Sequence, residues 1–102
     1  MQFVITAYDA GDSEALSRRM AARPVHLAGM EKMKEIGSVV CAGGMKNEEG
    51  QPIGSVLVLD LPSREALDDY LAREPYVVNK VWQDIKVEAF HVVILNDEMV
   101  GK

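Results

Sequence analysis

His26, one of only two histidines in the chain, stands in Arg23-Pro24-Val25-His26-Leu27, and Glu74 stands further on in Glu74-Pro75-Tyr76. An imidazole beside a carboxylate is the simplest general base a protein can build. The acid takes one ring N–H, fixes the tautomer and leaves the other nitrogen free to accept a proton. Each residue also has a plainer role. A buried histidine is often satisfied by a backbone carbonyl or a water. A residue before a helical proline is a cap position, where it need only serve backbone N–H groups. Glutamate caps poorly and has a longer stem, which favours a reach toward another group. The phenol of Tyr76 can donate to a ligand or simply pack.

The elements that must position these residues follow from pattern. Gln2 to Tyr8 is rich in Phe, Val, Ile, Thr and Tyr and ends in Asp9-Ala10-Gly11-Asp12, which predicts a first strand closed by a turn. A helix is expected from Ser13, capped by Asp12 or Ser13, with Ala15, Leu16 and Met20 on one face. Pro24 lacks an N–H and should break or kink it. A second helical stretch then runs from Pro24 to about Ile36, with His26, Met30, Met33 and Ile36 on its inward arc and Gly37 at C′. Ser38 to Met45 reads as strand two, Lys46 to Gly50 as a polar turn and Ile53 to Leu61 as strand three. Ser63 caps a helix whose buried stripe is Ala66, Leu67, Tyr70 and Leu71, and Pro75 opens a short further turn. Ile85 to Leu95 reads as the last strand, with His91 on one sheet face. The order βαββαβ predicts an α+β, ferredoxin-like domain: a four-stranded antiparallel sheet with its helices on one face.

Composition narrows the functional classes. The 102 residues predict a single domain over 1–102 that buries about 65% of its unfolded surface. A net charge of −5 opposes the nucleic-acid backbone, so no nucleic-acid partner is expected. No apolar run approaches a membrane span, and Met1 to Thr6 lacks the basic and cleavage regions of a signal peptide, so a cytoplasmic protein is expected. Cys41 lies in Val39-Val40-Cys41-Ala42 and reads as a small core residue on a strand. The two histidines and single cysteine give no metal-site spacing, Gly43-Gly44 and Gly54 give no phosphate loop and read as turns at strand ends, and no cofactor is called for. Arg19 and Arg23, about one turn apart near His26, can attract an anionic substrate or be solvated or paired.

The strands carry one more implication. Val56-Leu57-Val58-Leu59 and Val92-Val93-Ile94-Leu95 are apolar on both faces, whereas two helices cover only one. The uncovered face is expected to pack on a second copy, giving a homodimer.

The opening strand, Arg23-Pro24-Val25-His26-Leu27, Ala42-Gly43 to Met45, Gly54-Ser55, Glu74-Pro75-Tyr76 and Val87-Glu88-Ala89-Phe90 together resemble the YciI-like (YCII-related) proteins over nearly the whole chain. The resemblance implies a dimeric α/β-barrel assembly and an active site of a histidine and an aspartate. His26 matches that histidine. Glu74 replaces the aspartate of the usual Asp-Pro-Tyr, and Gly43-Gly44 stands where Gly-Pro is common. The added methylene means the dyad geometry must be remade or the carboxylate no longer serves the ring. Chemistry consistent with these parts is proton abstraction by His26, oriented by Glu74, in elimination or isomerisation of a small cyclic or aromatic molecule held by Ser55, Tyr76 and Arg23. The resemblance includes members linked to breakdown of chlorinated aromatics, where HCl is lost. A module of another kind keeps the same cleft for a small ligand without turnover.

Overall fold

The computed structural model describes residues 1–101. The main elements are β1 (Gln2–Asp9), α1 (Ala15–Glu35), β2 (Val39–Lys46), β3 (Pro52–Asp60), α2 (Arg64–Arg73), α3 (Pro75–Val78) and β4 (Trp82–Phe90). The four strands form one antiparallel sheet in the order β2-β3-β1-β4. This is the ferredoxin-like α+β arrangement. A small hairpin, β5 (Ile94–Leu95) with β6 (Glu98–Met99), follows.

Register explains how one face became the core. Phe3, Ile5 and Ala7 pair with Leu59, Leu57 and Ser55, and alternation turns all six toward the helices. There they meet Ala22 of α1, Leu67 and Tyr70 of α2, Tyr76 of α3 and Trp82. The intervening positions put Val4, Thr6, Tyr8, Val56 and Val58 on the face that carries no helix, joined by Cys41, Gly43 and Met45 from β2.

Local signals fix most boundaries. Ser63 Oγ accepts the Ala66 N–H at 3.1 Å and starts α2. Gly37, at φ 80°, ends α1: its N–H bonds the Lys34 carbonyl while the Ser38 N–H reaches back to Met33. That pair is the double bond of a Schellman C-terminus, and the left-handed backbone it needs suits glycine. Asn47 Oδ1 accepts from both Glu49 and Gln51 N–H and sets the turn between β2 and β3.

Four expectations are corrected. Pro24 does not divide α1, which runs unbroken through it. Both Pro24 and Met20 are exposed, so the carbonyl that loses its partner is on the hydrated side and the cost is one hydrogen bond. The inward face of α1 is Ala15, Arg19, Ala22 and His26, with Met30 and Met33 packed on its continuation; Leu16, Met20 and Ile36 are exposed. The last strand ends at Phe90, so Val92 to Leu95 lies outside the main sheet and His91 beyond the strand. Val92 is held instead by its N–H to the Gln2 side chain. Cys41 is exposed on the helix-free face and is not a core residue.

Gly54 lies within β3 and not at a turn. A Cβ there would come within 2.4 Å of the Ala7 carbonyl and 2.6 Å of Met45 Cε. Gly54→Ala should therefore destabilise the fold by about 1–3 kcal/mol, read as a lower urea midpoint, whereas Gly43→Ala, with open space, should leave it unchanged.

Candidate functional site

The site grows from the junction between α2 and α3. Pro75 forbids α geometry at the residue before it, and Glu74 is extended at φ −62°, ψ 124°, ending one helix and capping the next. Its carboxylate does the capping work, accepting the Tyr76 N–H at 3.2 Å. The same oxygen also meets His26 Nδ1 in a short contact. The other oxygen accepts the Tyr70 hydroxyl at 2.5 Å. The cap and the histidine partner of the sequence reading are thus one carboxylate in both roles, buried to 2% exposure. Three donors converge on it, which accommodates the extra methylene of glutamate.

His26 is held as firmly by its ring faces. It stacks on Tyr76 at 3.9 Å between centroids and 13° between planes, and Trp82 meets both rings edge-on. The Arg19 guanidinium lies 4.9 Å from the Tyr76 centroid. Arg19 and His26 are two turns apart on α1, so the Tyr76 ring fills the space between them.

Arg19 belongs to the wall of the site. It is buried, with Nη1 at 2.8 and 2.9 Å from the two Asp9 oxygens and Nη2 at 3.1 Å from Ser55 Oγ. Its charge is matched by Asp9, so of the two roles open to it in the sequence Arg19 takes the paired one. Trp82 Nε1 donates to the same Ser55 Oγ at 3.2 Å. Arg23, by contrast, is exposed at the mouth and joins no ion pair among the described residues.

A cleft of about 870 Å³ opens between α1 and the β2–β3 edge. His26, Ser55, Tyr76 and Arg23 all line it, with Met20, Leu27 and Met30 on the apolar side. That size and make-up suit a small ligand. With Nδ1 committed to Glu74, Nε2 is the ring nitrogen without a protein partner. No buried side-chain nitrogen or oxygen among the described residues lacks a partner, so Nε2 reaches the cleft. The Tyr76 hydroxyl reaches it for the same reason; burial raises its pKa, outweighing the opposing pull of Arg19 and Arg23. Among the described residues no three His, Cys, Asp or Glu gather to hold a metal ion, and no helix is long and apolar enough to cross a membrane.

Sequence reasoning missed Asp9, Tyr70 and Trp82. Tyr70 alone carried a signal, four residues before Glu74, the spacing at which helical side chains meet.

Residues 1–91 match the model of the YCII-related domain. Protein YciI of Escherichia coli O6:H1 is 32% identical over 99 residues, 91% of this chain and 99% of its own length. A solved structure of similar fold is the 5-chloro-2-hydroxyhydroquinone dehydrochlorinase of Burkholderia phenoliruptrix in complex with 2,5-dihydroxybenzoquinone. It has a TM-score of 0.78, 21% identity, and coverage of 89% of this chain and 94% of that one. A dimeric ferredoxin-like protein of unknown function from Jannaschia gives a TM-score of 0.52 at 17% identity, covering 89% and 98%.

Burial, then the charge of Glu74, then the bond to it, raise the Tyr70 hydroxyl above the ordinary 10.0. Folding favours its neutral form. The stability this supplies is complete below pH 10.0 and is lost as pH rises beyond, because the unfolded chain ionises first. Urea titrations should show stability falling above that pH. Tyr70→Phe should flatten the fall while costing about 1–3 kcal/mol at neutral pH, since a buried carboxylate loses a donor.

Proposed function

The chain belongs to the YCII-related domain family, and from that premise we propose that it is a small enzyme, working without a cofactor, in which His26 is the general base and Glu74 its orienting acid. The observation that carries this reading is the His26–Glu74 contact at a cleft wall, with Nε2 left open to the cleft. Nδ1–H donates to the carboxylate. Nε2 takes a proton from carbon or oxygen of the substrate, and Glu74 stabilises the imidazolium that results. In an elimination, the electron pair released from the C–H bond forms the new double bond while the leaving group departs with its own pair. Chloride is such a group, and the imidazolium returns its proton to solvent.

The dehydrochlorinase of similar fold supports a small, oxygen-bearing ring as the substrate. Met20, Leu27 and Met30 offer that ring an apolar wall, while Ser55 and Tyr76 offer its oxygens hydrogen bonds and Arg23 attracts negative charge at the mouth. Chloride release from 5-chloro-2-hydroxyhydroquinone tests the reading. His26→Asn should lower the rate by about 10²–10⁴ with little change in ligand affinity. Glu74→Gln, which keeps shape but removes the charge, should lower it as well. A parent protein that binds 2,5-dihydroxybenzoquinone yet turns over no chlorinated or isomerisable ring would instead be a ligand-binding module.

The reading includes a homodimer through the helix-free sheet face. Val4, Val56 and Val58 lie there beside Cys41 and Met45, although Val92 to Leu95 does not extend it. The dimeric protein of similar fold supports this assembly. Sedimentation at micromolar concentration should give twice the chain mass of 11.2 kDa, and a stable species at that single mass would sink the idea. Val56→Lys, at a partly exposed position of that face, should yield monomer.

A further inference from the structure

Ser55 is 4% exposed, and its hydrogen bonds leave it one role. A serine hydroxyl has one proton to give and two lone pairs to receive with. One lone pair takes Arg19 Nη2 at 3.1 Å and the other takes Trp82 Nε1 at 3.2 Å. Guanidinium and indole N–H groups only donate, so neither can accept the serine proton. Among the described residues Ser55 Oγ makes no hydrogen bond as a donor, and Ser55 lines the cleft beside His26 and Tyr76.

We propose that Ser55 is a donor-only contact for an oxyanion, so that the cleft selects ligands presenting a carbonyl, enolate or phenolate oxygen and rejects isosteres that present only a donor. This rests on the reading of His26 as base and names the substrate class it serves. The Arg19 charge polarises the serine O–H and strengthens it as a donor. Asp9 cancels that charge overall, so the device aims one bond at one atom and is not a general sink for anions. The Tyr76 hydroxyl opens to the same cleft and adds a second donor. His26 Nε2 contributes the matching acceptor. When it takes a proton beside a carbonyl, the electron pair left behind moves onto the oxygen. A donor fixed in advance at that oxygen stabilises the charge as it forms.

Arg19 and Trp82 are positioning residues that act through Ser55. Their role separates from simple packing because Trp82→Phe frees a lone pair, after which Ser55 can accept as well as donate.

The test uses pentafluorophenolate, an acceptor, and pentafluoroaniline, a donor of nearly the same shape with no acceptor oxygen, titrated into the intact protein and followed by calorimetry. The parent should bind the phenolate more tightly. Ser55→Ala should weaken phenolate binding about tenfold or more and leave the aniline unchanged, whereas Trp82→Phe should narrow the preference by improving the aniline. The proposal is overturned if Ser55→Ala holds the phenolate to within about twofold, or if the parent fails to prefer it, including by binding neither probe. His26→Asn separates this from the catalytic reading. A Ser55-dependent preference that persists while chloride release never depends on His26 would sink the base and keep the oxyanion contact; the reverse pattern would do the opposite.

Discussion

A single buried carboxylate ties the helical layer together. Glu74 receives a ring N–H from α1, a phenolic O–H from α2 and a backbone N–H from α3, so three elements share one anion. Burying a charge is tolerable only when its lone pairs are met, and removing any donor leaves part of it uncompensated. The proline that follows is the cause of this geometry. By denying Glu74 the helical conformation, Pro75 turns its side chain out of α2 and across to α1.

The second buried pair, Arg19 with Asp9, complements the first. It joins α1 to the end of β1 and, through Ser55, to β3. Tyr76 lies between the two pairs, touched by His26 on the one hand and by the guanidinium on the other. Asp9 neutralises Arg19 and the Glu74 charge is met by its three donors, so what remains for the cleft is directional: a free imidazole nitrogen, a phenol and a polarised serine proton. Such preorganised groups need no rearrangement when charge develops next to them.

Much of this was legible because it depends on local chemistry. Gly37 past the end of α1, Ser63 before α2 and Pro75 opening α3 each act within a turn, and the strand-forming residues of β1 with the turn after them mark that strand. The helix seam was harder to read because its buried members include an arginine, which polarity assigns to water, although spacing did place His26 inside. Leu16 and Met20, assigned to the inside by the same reasoning, are left exposed. The run Val92 to Leu95 drew the last strand too far, while its first three residues, Trp82 to Asp84, hid behind the polar residues proper to an edge strand. Asp9 and Trp82 escaped notice because their partners are distant in sequence. Only the assembled fold brings Asp9 to Arg19 and Trp82 to Ser55.

The continuity of α1 through Pro24 makes that helix a ruler. Seven residues separate Arg19 from His26, close to two full turns, and this phase lets both reach one tyrosine ring. A single inserted residue between them would rotate one against the other by about 100° and swing it off the ring. For the six residues between them, length changes are thus more disruptive than changes of residue type, and the segment acts as a gauge that sets the phase of Arg19 against His26.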